Sequence, residues 1–161
     1  MRSLLGIAFL ALMLQTMGCA SPQLRAERAA MTKKAVAESL ENKHLRIDVR
    51  SMSTFRYGSR TVSDGFYLEL KGDTLESYLP YLGQVYQGAA ISPSEGLNFV
   101  APIMSYHEAH PKKGLTRIEM KVKTKEDFYD YILEIYDTGT AFIRVRGQNR
   151  DSISFDGDCV V

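Results

Sequence analysis

The stretch His107-Glu108-Ala109-His110 puts two imidazoles and a carboxylate side by side, a donor set that can bind a divalent cation. Its spacing does not suit the zinc-protease arrangement, which needs histidines four apart on one helical face with the glutamate next to the first. Here they are three apart, and Pro111-Lys112-Lys113-Gly114 follow with loop composition. A solvated polar loop over 107–114 is expected, with no metal and no cofactor.

The chain has two cysteines in 161 residues. Cys159 sits beside Asp158 and two valines, with Asp156 close by, and acidic neighbours raise a thiol's pKa where a nucleophile needs it lowered. It is expected as a small half-buried residue near the chain end. Cys19 is a different case. Residues 1–18 carry Arg2, an apolar run from Leu4 through Leu14 that is too short to span a membrane, and Gly18 just before the cysteine. That order resembles the lipobox of bacterial lipoproteins, in which the cysteine is acylated and the chain is cut just before it. Thr16 stands where the pattern prefers leucine. Residues 1–18 are therefore expected as a lipoprotein signal peptide and Cys19 as the lipidated residue. Acylation there leaves Cys159 without an intrachain partner.

Other chemistry finds no foothold. The sequence contains no Gly-x-Ser-x-Gly elbow, no phosphate-binding glycine loop and no dinucleotide fingerprint. Its carboxylates are spread along polar strand faces and turns, so no general acid and base converge, and the chain is not expected to be an enzyme. The formal charge of +1 falls to zero once Arg2 leaves with the signal, so no global field favours nucleic acid.

These residues need elements to position them. Residues 19–32 read as the lipidated cysteine and a tether, and residues 33–161 as a single globular domain, long enough to bury an ordinary core without disulfides. A helix is expected from about 25 to 42, with Leu24, Ala29, Met31, Ala35, Val36 and Leu40 on one stripe, Ala35, Val36 and Leu40 docking on the domain, and Asn42 as its stop. Beyond it the period drops to two. Leu45, Ile47 and Val49 mark a strand over 44–53, and Phe66, Leu68 and Leu70 a second one closed by a Gly72-Asp73 turn, with a loop at 57–60 between them. Leu97, Phe99 and Ala101 suggest a short strand that Pro102 ends or places at an edge.

The last third permits a register. Requiring apolar faces to meet pairs Val122 with Tyr129, Met120 with Tyr131 and Ile118 with Leu133 across a loop at 124–127. A loop at 137–139, with Gly139 in the left-handed position, pairs Ile135 with Ala141 and Leu133 with Ile143. The opposite face then aligns Lys121, Asp130 and Arg146. Ile153 and Phe155 begin a last strand that ends near Asp156-Gly157, after a polar turn at 149–151. The predicted fold class is α+β: an N-terminal helix followed by a curved, mainly antiparallel β-sheet or partly closed barrel of about eight strands.

One segment breaks the pattern. Tyr78-Leu79-Pro80-Tyr81-Leu82-Gly83-Gln84-Val85-Tyr86 holds three tyrosines, a proline and a glycine, and reads as a packed corner shaped by Pro80 and Gly83. Together with Gly65-Phe66-Tyr67-Leu68, Lys71-Gly72-Asp73-Thr74, Lys112-Lys113-Gly114 and Asn149 through Gly157, it resembles domain-of-unknown-function family 4251, predicted lipoproteins of Gram-negative gut anaerobes. The likeness covers about residues 33–157. Leu82, Gln84 and Phe155 stand where the family usually has an aromatic, an arginine and a tyrosine. The resemblance implies no activity and no catalytic residue.

Two functions are consistent with these features. The first is a lipid-anchored, non-catalytic structural or interaction module of the cell envelope, which docks on an envelope protein partner. Ala20-Ser21-Pro22-Gln23 lack the acidic sorting signals, so by resemblance the anchor lies in the outer membrane, facing the periplasm; inner-membrane anchoring and a soluble periplasmic form are the alternatives. The second is a binder of a small apolar ligand in a pocket under the curved sheet, walled by Tyr78, Tyr81 and Tyr86.

Overall fold

The computed structural model describes residues 22–83, 96–125 and 127–161. The described residues fall into two units that divide between Met31 and Thr32. The signal segment, Cys19, Gln84, Val85 and Tyr86 lie outside the described residues. Helix α1 is Pro22–Glu41, so it starts earlier than the apolar stripe implied, because proline's missing N–H is harmless in a first turn. Its end is set by Lys43, whose φ of 48° is left-handed, and not by Asn42. The Asn42 and Lys43 amides still donate to Glu38 and Leu40 carbonyls at 3.0 Å.

Among the described residues nine antiparallel strands follow: β1 His44–Thr54, β2 Gly58–Thr61, β3 Tyr67–Lys71, β4 Thr74–Leu79, β5 Leu97–Lys112, β6 Leu115–Lys123, β7 Phe128–Tyr136, β8 Thr140–Gly147 and β9 Ile153–Cys159. The order β1-β3-β4-β5-β6-β7-β8-β9 returns to β1, closing an eight-stranded barrel, and β2 is the extra strand. β1 makes the closure possible. Its first half pairs with β3 and its second half with β2, while β9 runs along its other side. Closure removes the sheet edges that an open antiparallel sheet would expose.

The barrel interior is filled by side chains, as suits eight strands. Leu45, Ile47, Leu68, Leu70, Leu75, Leu79, Leu97, Ile118, Met120, Tyr131, Leu133 and Phe155 are all fully buried. Each such aliphatic side chain contributes about 1.5–3 kcal/mol relative to leaving it in water. Val36 of α1 is buried against this core and Leu40 packs on it, so residues 32–41 dock, with Lys33 held 2.7 Å from Asp137 in the β7–β8 turn.

The meander has the expected register. Val122, Met120 and Ile118 face Tyr129, Tyr131 and Leu133; Ile135 and Leu133 face Ala141 and Ile143. Gly139 takes a φ of 86° in the β7–β8 turn. Lys121 lies 3.2 Å and Arg146 4.0 Å from Asp130 on the outer face, each exposed pair contributing about 0.2–1 kcal/mol.

Four expectations are corrected. The loop at 57–60 contains β2, whose four residues are all exposed and so carry no alternation to read. Tyr78 and Leu79 belong to a regular strand, β4, and not to a corner; the irregular part begins at Pro80. The last strand runs past Gly157 to Cys159. The strand at 97–101 continues through Pro102 to Lys112, so the polar loop at 107–114 is mostly strand, with its turn at 113–114. Two features hid it. The Ile103 amide donates to Asp73 at 2.8 Å, so the neighbouring Pro102 points its missing N–H away from β4 and breaks no ladder bond. A bulge between Ile103 and Ser105 then inverts the alternation: Leu97 and Ala101 face the core before it, whereas Tyr106 pairs with inward Met120 after it.

Candidate functional site

The pair His107 and His110 is separated by the strand itself. His107 lines an outer groove with Lys121, Asp130, Arg144 and Arg146. His110 instead lies beside α1, its Nδ1 3.2 Å from Thr116 Oγ1 and its Nε2 3.6 Å from Glu108. A strand sends residues three apart to opposite faces, so the two imidazoles share no centre. Among the described residues no group of three or more His, Cys, Asp or Glu side chains could hold a metal.

Tyr78 and Tyr81 have different neighbours. Tyr78 is on the outer face of β4, stacked on Phe66 at 5.4 Å and tilted against Tyr67 at 5.8 Å. That aromatic group continues into a charged one. Arg46 lies 3.9 Å over the Tyr67 ring, whose hydroxyl donates to Glu76, and Lys71 bridges Glu69 and Glu76 at 3.0 and 2.9 Å. Tyr81 is half-buried, and its hydroxyl donates to the Asp151 carbonyl at 3.3 Å. Leu82 also packs on the core. Tyr78 and Tyr81 therefore do not wall one pocket, and Tyr86 lies outside the described residues.

What Tyr81 meets is a buried cation. Arg150 is only 5% exposed and lies 5.3 Å from the Tyr81 ring and 5.8 Å from that of Tyr129. Guanidinium faces stack on aromatic rings, which partly compensates for lost water. Beside it, buried Asp127 accepts from the Phe128 amide at 2.8 Å and the Asn149 amide at 3.2 Å, tying the β6–β7 turn to the segment after β8. Asn149-Arg150-Asp151 reads as a polar turn, and three consecutive polar residues give no sign that the middle one turns inward.

Two outward features stand out. At the tip of the β1–β2 hairpin, Phe55 is completely exposed and Tyr57 half-exposed, next to Arg56 and exposed Arg60. The tip is not slack: the Tyr57 amide donates to Thr54 Oγ1 at 3.1 Å, and Arg56 reaches Asp151 at 3.4 Å. The second feature is a cleft of about 930 Å³ between the first half of β5 and the β6–β7 turn. Phe99 forms its inner wall, stacked on Tyr129 at 5.4 Å, and Lys123 and Lys125 stand at its rim. The cleft exists because β5 pairs with β4 through Pro102 but with β6 only from Ile103 onward.

Comparison with known proteins bears on the fold and the family. No curated protein matches the chain. A crystal structure of a DUF4251 family protein from Bacteroides eggerthii, at 1.95 Å resolution, superposes with a TM-score of 0.65 over 81% of this chain and 88% of that one. At 12% identity this likeness supports the barrel and nothing finer. The sequence pattern of DUF4251, a domain of unknown function, matches residues 27–159, which takes in α1's docking half and the whole barrel, and the chain belongs to that family.

Proposed function

We propose that the protein is a non-catalytic interaction module of the cell envelope, tethered through an acylated Cys19 at the periplasmic face of the outer membrane and docking on a partner protein with its β1–β2 hairpin. The observation that carries this reading is the tip of that hairpin. A completely exposed phenylalanine is out of place on a surface that meets only water, and here it stands on a pinned turn with a tyrosine and two arginines. Aromatic residues and arginine are the types that dominate binding energy in protein interfaces, and a pinned turn loses little entropy on docking. β2 itself is short and wholly exposed, so it adds a projecting platform without covering the core.

The test is site-specific photocrosslinking in cells with the reactive residue at Phe55, and at Glu119 on β6 as control. One reproducible crosslinked partner at Phe55 and none at Glu119 supports the reading; identical patterns at the two sites would remove its basis. Palmitate labelling that persists in Cys19→Ala would reject the anchor separately.

A second reading, a binder of a small apolar ligand, is favoured by the cleft at Phe99. Its described lining includes neither Tyr78 nor Tyr81.

A further inference from the structure

We infer that the cleft between the first half of β5 and the β6–β7 turn binds a single-chain anionic amphiphile of the fatty-acid class; this rests on the small-ligand reading above. The wall fits an acyl chain. Phe99, Val100, Ala101, Pro102 and Tyr129 contribute apolar surface to an open cleft of about 930 Å³, large enough to seat a small ligand. Val100 points outward and is 66% exposed, so an occupant has apolar surface to cover.

Charge selects the head group. Lys123 and Lys125 line the cleft, and its described lining holds no carboxylate, while Glu95 and Glu126 lie outside the described residues. The described linings of the other clefts are mixed in charge. Beside α1, Lys33, Lys112 and Lys113 are matched by Glu41, Glu108 and Asp137, with Lys33 and Asp137 in contact at 2.7 Å. On the outer face, Lys121, Arg144 and Arg146 share their groove with Glu119 and Asp130. Lysine ammonium groups are point charges that a carboxylate can approach from several directions, which suits a flexible amphiphile.

Shape argues against larger occupants. The buried side chains of Ala101 and Tyr129 lie in the wall of the barrel, in a recess that a flat bilayer surface does not reach. A peptide strand added to β5 here would meet Pro102, which has no N–H to donate.

The experiment is isothermal titration of the full chain carrying Cys19→Ala with sodium laurate below its micelle concentration, with 1-dodecanol as the neutral counterpart. Two variants probe the site at exposed positions and are checked by melting temperature: Lys123→Ala with Lys125→Ala, and Val100→Glu. The expected result is saturable laurate binding, weaker in the double lysine variant and for dodecanol by up to about fivefold for each ion pair lost. Val100→Glu should abolish it by placing a like charge in the cleft. Equal binding of laurate and dodecanol, both lost in Val100→Glu, would overturn the anionic class while leaving the small-ligand reading intact. Binding unchanged in both variants would overturn the site. No binding of either compound, or binding only to phosphatidylglycerol vesicles, would overturn the inference and the small-ligand reading together. A Phe55→Ala variant should bind laurate normally, which keeps this result separate from the partner reading.

Discussion

Across the barrel interior the Tyr131 hydroxyl donates to Ser77 Oγ at 3.2 Å, and Ser77 donates in turn to the Leu97 carbonyl at 2.7 Å. Both side chains are buried, so β7, β4 and β5 are joined by a short polar relay in a mainly apolar core. The two ends of the relay are not equivalent. Tyr131→Phe removes one bond but leaves Ser77 its carbonyl acceptor, and should cost about 0.5–1.5 kcal/mol. Ser77→Ala strands a buried phenol and should cost more, about 1–3 kcal/mol. Urea unfolding of the two variants measures the order, and a Tyr131→Phe loss larger than that of Ser77→Ala contradicts it.

Gly157 is where the barrel closes. It sits opposite Val49, next to the bulge in β1 between Val49 and Ser51, and a Cβ there would overlap the backbone carbonyl of Asp48 and crowd Ile47. Backbone cannot step aside as a side-chain tip can, so Gly157→Ala should destabilise by about 1–3 kcal/mol, by the overpacking mechanism. Thermal melting checks this; an unchanged midpoint would mean that the β1–β9 seam is more yielding than its close packing implies.

Bulges also explain what could be read from the sequence. Strands β6, β7 and β8 keep one parity throughout, so requiring apolar faces to meet gave Met120 opposite Tyr131 and the Lys121, Asp130, Arg146 row directly. β5 inverts its parity at the bulge after Ile103, and beyond it carries Tyr106, Glu108 and His110 where an apolar period would be sought. Closure of the barrel depends on β1 serving three strands, a long-range relation that alternation cannot express. One outward feature was hidden for a related reason. Phe55 is of a type common in cores, and only the three-dimensional arrangement shows that it faces water, whereas the alternation of Leu97, Phe99 and Ala101 leaves Val100 on the outer face.

A side chain at Gly83 would have to displace Tyr81, although the φ of Gly83 is not left-handed. A Cβ there would lie 2.6 Å from the Tyr81 hydroxyl and 3.2 Å from Asp151 Cβ. Gly83→Val should push the Tyr81 ring off the Asp151 carbonyl and away from Arg150, costing about 1–3 kcal/mol. Pro80→Ala should cost less, about 0.4–1 kcal/mol, mainly by loosening the unfolded chain. Loss of partner or ligand binding at an unchanged melting temperature would instead make this segment a site.

Glu76 links the outer aromatic group to pH. The hydrogen bond from Tyr67, and after it the one from Lys71, hold its carboxyl below the usual carboxylate range, while Tyr67 is pushed up by the same bond. A lowered folded pKa means that this contribution to stability is complete above the unfolded value and is lost as pH falls through the folded one. Tyr67→Phe should therefore return Glu76 towards the ordinary value of about 4.3. Carbon-detected NMR titration of the side-chain carboxyl reads the shift; a Glu76 that titrates normally in the unmodified protein would exclude it.

Cys159 is expected to be inert. Burial and, to a lesser degree, Asp158 push its thiol up to about 11, and its amide donates to the Gly139 carbonyl at 2.7 Å, fixing the end of β9 to the β7–β8 turn. At pH 8 the thiolate is then scarce, and alkylation by iodoacetamide should be on the order of a hundredfold slower than for an unstructured cysteine peptide. Denaturant should restore the ordinary rate. Because burial is the larger cause, Asp158→Asn should recover only part of the difference. The same shift fixes a sign at high pH: the unfolded chain loses this proton first, so stability falls as pH climbs from the ordinary thiol value towards about 11. Rapid alkylation of the folded protein at pH 8, followed on the peptide that contains Cys159, would show instead that the end of β9 opens readily or that the thiol is activated.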